Sequence, residues 1–381
     1  MSRLEIVGRD PATERSIRVS CEDGVIAAIE SSSEETDLYL SPGLIDLQVN
    51  GYAGFDVNSG TISVETVVGL VNAMLATGVT CFAPTLITAP EESICHALGI
   101  LAEARKSNRR VAGCVPFIHI EGPHISPLEG YCGAHPAEFV RPPSIAEFER
   151  WQRAAAGRVG MVTISPHFEE SADYIRALVS RGVRVAIGHT HASPEQIKVA
   201  VDAGARISTH LGNGIAATIP RHRNPIWTQL GDDRLTATFI ADGHHLPPDT
   251  LKSMLRAKGI ERSVLVSDSV ALAGMRPGIY TTAVGGQVEL RPDGRLCVAG
   301  SEYLAGSATS LAQCVANVVR LAGVSLGDAL RMATANPGAI VGVGGRIVPG
   351  AQADILRFRL AGRLIVTDVW FAGERIELSC G

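Results

Sequence analysis

Short, almost uninterrupted apolar and β-branched runs recur along the middle of the chain, each followed by enough sequence for a helix. Eight of them fall between residues 44 and 269: LIDLQVN (44–50), VTCFAPTLI (79–87), VPFIHIEG (115–122), VGMVTISP (159–166), VRVAIGH (183–189), RISTHLG (206–212), LTATFIADG (235–243) and SVLVSDS (263–269). Strands covered on both faces read this way, because neither face has to meet water. Helical spacing fills the gaps, as in VETVVGLVNAMLAT (64–77), SADYIRALVSR (171–181) and SPEQIKVAVDAG (193–204). The last of these opens with Ser193 and Gln196 at the spacing of a capping box. Eight strand–helix units predict an α/β fold, a closed TIM-like (β/α)8 barrel. A doubly wound sheet is the alternative. It is weaker because the first strand–helix turn lacks a G-x-G-x-x-G loop and VGVGGR (341–346) has no helix after it.

The two ends carry a different pattern. SIRVSCEDGVIAAIE (16–30) alternates and turns at Asp23-Gly24, and GGQVELRPDGRLCV (285–298), ADILRFRL (353–360) and LIVTDVWFAGERI (364–376) have the look of antiparallel hairpins. Residues 1–41 with 346–381 are therefore expected to form a small β-sandwich, with SSSEETD (31–37) as a loop. Residues 42–345 form the barrel, with a hairpin insertion near 276–300.

Composition narrows the function. The 381 residues are 46% hydrophobic and only 19% charged, with mean hydropathy +0.18, which supplies a large core and excludes disorder for most of the chain. A net charge of −5 with no run of basic residues leaves no footprint for nucleic acid or an anionic membrane. A small-molecule partner is expected. The first residues lack a basic region followed by an apolar one, no apolar stretch is long enough to span a bilayer, and a cytoplasmic location is expected. The eight cysteines, at 21, 81, 95, 114, 132, 297, 314 and 380, form no C-x-x-C pair, and most are expected to be reduced and buried.

Polar residues gather where the apolar runs end: Gln48 and Asn50 after the first, Glu121 after the third, His189 and His191 after the fifth, His210 after the sixth, Asp242 after the seventh and Asp268 after the eighth. Barrel active sites sit on that rim. Glu121, His189 and His210 make up one carboxylate and two imidazoles, a set that holds a catalytic Zn2+ while leaving a position open for water. Asp268 would then stand beside that water, placed to take its proton and later return it to a leaving group. Without a metal, Asp268 is a helix cap.

In order along the chain, PGLIDLQVNG (42–51), HIEGPHISP (119–127), GAHP (133–136), IGHTHAS (187–193), THLGN (209–213), IADGHH (240–245), LVSDSVALAG (265–274), ATANPGAIVGV (333–343) and AQADIL (351–356) resemble the amidohydrolase superfamily, and within it the deacetylases of N-acetyl amino sugar phosphates. The resemblance covers nearly the whole chain. Most of the superfamily carries His-x-His where this chain has Gln48-Val49-Asn50, which favours one metal ion over two. The resemblance implies a single divalent ion, Zn2+, on Glu121, His189 and His210, with Asp268 as general base and then acid. It makes His135 the donor that polarises the acetyl carbonyl. It places Asn213, Gly214, Arg221 and His245 at the substrate, with Arg223 the other candidate for an anion contact, and implies a homodimer. The reaction implied is hydrolysis of an N-acetyl amino sugar phosphate, above all N-acetylglucosamine-6-phosphate, to glucosamine-6-phosphate and acetate. The sixth-strand loop departs from the family, reading His210-Leu211-Gly212-Asn213-Gly214-Ile215 where an aromatic residue and a methionine are usual. Two alternatives stay open. The same metal site could cleave another acylated sugar, sugar acid or cyclic amide, or the chain could be a non-catalytic scaffold of amidohydrolase shape.

Overall fold

A computed structural model describes residues 3–282, 286–301 and 303–378. Eight parallel strands pair in sequence order: Leu44–Val49, Val79–Ile87, Ile118–Glu121, Val159–Ile164, Arg184–Ile187, Ile207–Ser208, Thr236–Ile240 and Ser263–Val266. Helices connect them, and each of the eight apolar runs supplies one strand. The sixth is the shortest: only Ile207 and Ser208 pair, and the chain turns at Thr209 and His210. The helix Pro194–Ala203 starts with the expected capping box between Ser193 and Gln196 and stops at Gly204 in the left-handed region.

Inward-facing Ile45, Leu47, Ala83, Phe117, Met161, Ala186, Ile207, Ile240, Val264 and Val266 fill the barrel, so it is packed and not a pore. Its lower end is covered by the helix Ala335–Val341. Arg184, lying over the Phe117 ring at 5.0 Å, donates to the carbonyls of Ile340 and Val341 there. A second, larger core packs the outer faces of the strands against the helices.

The eighth and first strands meet without a regular ladder. One parallel bridge, Val49 to Ser269, joins them, helped by Asp268 N donating to Gln48 O at 3.1 Å and Asn50 N donating to Ser269 O at 2.8 Å. Asp46 staples the same seam by accepting from Ser267 N at 3.2 Å and Gln48 N at 3.3 Å. Its burial raises the carboxyl from 3.8 to about 7 against those hydrogen bonds.

Both ends of the chain build one seven-stranded sheet from Arg3–Arg9, Ser16–Glu22, Val25–Ser31, Tyr39–Pro42, Ile355–Leu360, Leu364–Phe371 and Glu374–Arg375. The expected hairpin at Asp23-Gly24 forms, with φ of +49° and +82°. The sheet rolls over itself. Ile26 N donates to Ala351 O and Ala353 N to Gly24 O, which closes two layers around Ile6, Val19, Ile26, Leu40, Ile355 and Trp370. The insertion is a three-stranded antiparallel sheet, Gly278–Thr282, Gly286–Leu290 and Leu296–Val298, set over the upper end of the barrel. Gly285, where that hairpin was expected to start, lies outside the described residues, as does Cys380. The seven described cysteines are unpaired, and all but the half-buried Cys95 are buried. Among the described residues no helix is long and apolar enough to cross a membrane.

Candidate active site

The upper rim brings Glu121, His189 and His210 together, with ligand atoms all within 4.8 Å of one another. His210 Nε2 lies 2.8 Å and His189 Nε2 3.5 Å from Glu121 Oε1, and all three side chains are buried. His189 Nδ1 is 2.7 Å from the Tyr131 carbonyl, which can only accept, so Nδ1 carries a proton and Nε2 is the nitrogen turned toward Glu121. Two imidazoles and a carboxylate arranged in this way are the donor set of a mononuclear divalent site with an open position, and the residues fit such an ion.

The backbone is bent to reach this arrangement. His189, His210 and Asp268 all have positive φ, +47°, +27° and +48°, a region that residues with side chains avoid. Three strand ends therefore hold strain at the point where their side chains converge. Gly214 crosses next to His189, where an added Cβ would come within 2.6 Å of Nδ1 at a φ of +59°.

Opposing charges set the electrostatics. Burial works against charge on Glu121, but His210 and His189 hold its carboxyl well below the usual range. Burial likewise pulls His210 down, yet the Glu121 charge and hydrogen bond, followed by Asp268, raise it to about 9. Desolvation and the Glu121 charge raise Asp268 to about 6, opposed by His210, His245 and a hydrogen bond from Asn50. His135 falls to about 3 through burial and the neighbouring His189. Its Nε2 stands 3.7 Å from Glu121 Oε2.

A cavity of about 390 Å³ opens above these groups. Its walls include the expected His135, His189, His210, Asn213, Gly214, His245 and Asp268. His245 is oriented by Asp242, whose Oδ2 accepts from Nδ1 at 2.7 Å. Arg221 is not brought in. It is exposed and lies outside the cavity walls, and Arg223 is exposed and paired with Glu195. No arginine or lysine is among the described wall residues. His119, buried next to Glu121, packs between Thr85 and Thr163, at 3.3 and 2.8 Å, and takes no part in the cavity.

Sequence reasoning placed Asn50 on the rim without assigning it a partner, and it missed two further contributors. Asn50 holds Asp268, Thr88 holds His135, and the insertion adds an apolar wall of Val288, Leu296 and Leu304 facing Val270 and Leu272. The position of Asn50, on the seam beside the last strand, was the available signal for the first.

The sequence pattern of the amidohydrolase family matches residues 39–376. The chain belongs to the amidohydrolase family. Similar amidohydrolases include the N-acetylgalactosamine-6-phosphate deacetylase of Escherichia coli O157:H7, 34% identical over 360 residues and 92% of each chain. The human N-acetylglucosamine-6-phosphate deacetylase is 35% identical over 355 residues, 88% of this chain and 83% of the relative. A structure of the N-acetyl-D-glucosamine-6-phosphate deacetylase of Mycobacterium smegmatis in complex with N-acetyl-D-glucosamine-6-phosphate superimposes with a TM-score of 0.88. It shares 29% identity and covers 99% of this chain and all of that one.

Proposed function

We propose that this amidohydrolase removes the acetyl group from N-acetylglucosamine-6-phosphate, giving glucosamine-6-phosphate and acetate. The observation that carries the proposal is the convergence of Glu121, His189 and His210 beneath a cavity whose rim presents Asp268 and His135. The similarity to deacetylases over nearly the full length supports it.

Glu121, His189 and His210 would hold one divalent ion, which we assign as Zn2+. When bound, such an ion polarises a carbonyl and makes water more acidic. Asp268, with its carboxylate held by Asn50, accepts the proton of the attacking water and delivers it to the departing amine. His135 Nε2–H donates to the acyl oxygen as negative charge gathers there. Asn213, Gly214 and His245 face the sugar, and the insertion covers the acyl end with apolar surface.

The seven described cysteines, all unpaired, suit a reducing compartment, and we place the enzyme in the cytoplasm. We further assign it as a homodimer. The exposed Trp227, whose indole donates to the Arg221 carbonyl, offers an apolar contact beside that arginine.

The Escherichia coli relative favours a second reading, in which the substrate is the C4 epimer, N-acetylgalactosamine-6-phosphate. Acetate release by zinc-loaded protein tests both, with each 6-phosphate and unphosphorylated N-acetylglucosamine run in parallel. Turnover of the phosphorylated glucose epimer above the other two supports the proposal. Preference for the galactose epimer replaces it, and release from none removes it.

A further inference from the structure

Thr88 approaches His135 with two groups at one ring nitrogen. Its hydroxyl oxygen lies 2.9 Å and its backbone nitrogen 3.4 Å from His135 Nδ1. Thr88 directly follows the second barrel strand and is buried. A backbone N–H can only donate, so it needs the lone pair of Nδ1, and the hydroxyl can turn its proton to the same atom. A neutral imidazole that accepts at Nδ1 carries its proton on Nε2. Nε2 is the side turned toward Glu121, while the ring packs on His189 with centroids 4.4 Å apart.

The opposite arrangement would have Nδ1–H donate to the Thr88 hydroxyl and leave a lone pair in the cavity. That ring would act as a base or as a further metal ligand. The two cases assign His135 opposite chemistry: the Thr88 backbone N–H, which can only donate, selects the first, and the hydroxyl, closer at 2.9 Å against 3.4 Å, then supplies the stronger of the two bonds that hold it. Gly122 makes the room for this contact. A Cβ there would stand 2.3 Å from Thr88 Oγ1, and its φ of +83° suits glycine. The residue after the ligand Glu121 thus clears the space in which Thr88 sits.

We propose that Thr88 is a positioning residue that fixes His135 as the Nε2–H tautomer, so that the ring meets the acyl oxygen as a hydrogen-bond donor. This rests on the deacetylation proposed above. The test is made on full-length protein loaded with Zn2+ and labelled with 15N-histidine. Imidazole nitrogen–proton correlation spectra, with His135→Gln identifying the signals, are expected to show the His135 proton on Nε2. Thr88→Val removes the hydroxyl at nearly constant size and is expected to lower kcat about 10- to 100-fold, the usual effect of losing such a partner. KM should move much less than kcat, because the donor acts on the transition state. In this variant the proton should spread over both ring nitrogens. Thr88→Ser, which keeps the hydroxyl, should recover most of the rate and the single tautomer.

A proton on Nδ1 in the wild type overturns the inference. So does full kcat in Thr88→Val, and so does a Thr88→Ser variant as slow as Thr88→Val, which would show that a hydroxyl at this position does not carry the rate. If no acetylated sugar proves to be a substrate, the spectra still report the tautomer, so that failure is separate.

Discussion

Asn50 Nδ2 donates to Asp268 Oδ1 at 2.8 Å, joining residues 218 positions apart across the seam of the barrel. The bond favours the carboxylate form of Asp268, which desolvation and Glu121 still raise to about 6 with the bond in place. Asn50→Ala should therefore move the acidic limb of kcat/KM to higher pH and slow the reaction by about 10- to 100-fold at low pH. The pH–rate profiles of the two proteins check this. An unmoved limb would place the titrating group elsewhere.

Asp268→Asn keeps the shape of the side chain but cannot accept a proton. We expect kcat to fall about 10²- to 10⁴-fold, the range for loss of a general base or acid, with metal content unchanged by elemental analysis. Appreciable remaining turnover would take Asp268 out of that role.

Chelation should expose the charge balance of the ligand set. Without the ion, His210 has a folded pKa raised from 6.5 to about 9. Its stabilising effect is complete below pH 6.5 and is lost as pH rises through 9. Glu121 is shifted down, so its share is present above its ordinary value of 4.5 and lost as pH falls. The Tm of chelated protein should then decline from pH 6.5 to pH 9. Metal-loaded protein, in which the imidazoles bind as neutral ligands, should hold its Tm over that interval.

Gly214→Ala places a methyl group 2.6 Å from His189 Nδ1 at a φ of +59°. Displacing His189 from the Tyr131 carbonyl should weaken metal affinity by about 10- to 100-fold, measurable by competition with a chromogenic chelator.

Substitution of Arg221 and Arg223 tests whether this segment recognises phosphate. If Arg221 binds phosphate from a protomer edge, Arg221→Ala should raise KM for the phosphorylated sugar by about tenfold or more and leave kcat and the unphosphorylated sugar nearly unchanged. Arg223→Ala should do little, because that side chain already pairs with Glu195. No change in KM for either variant would remove the segment from substrate recognition.

The barrel was legible because strands covered on both sides have to be apolar throughout, and the polar residue ending each run marks the rim. That logic singled out Glu121, His189, His210 and Asp268. It could not reveal partners chosen by three-dimensional proximity. Thr88 looks like any threonine closing a strand, and its bond to His135 spans 47 positions. Val288 and Leu296 alternate as hairpin core residues should, and nothing in that alternation shows that they also wall a cavity. Arg221 failed to reach the cavity of its own chain because a motif fixes where a residue sits in the chain and leaves open where a long side chain points.

The seam also orders the assembly of the site in time. During synthesis the metal-binding set is complete once residue 210 has emerged, whereas proton transfer waits for the eighth strand to reach back to the first. A chain released before Ser269 would carry every ion ligand and none of the closure that sets Asp268 against Asn50. The pairing of Asp268 with Asn50 thus comes into being only after the ends of the cylinder have met.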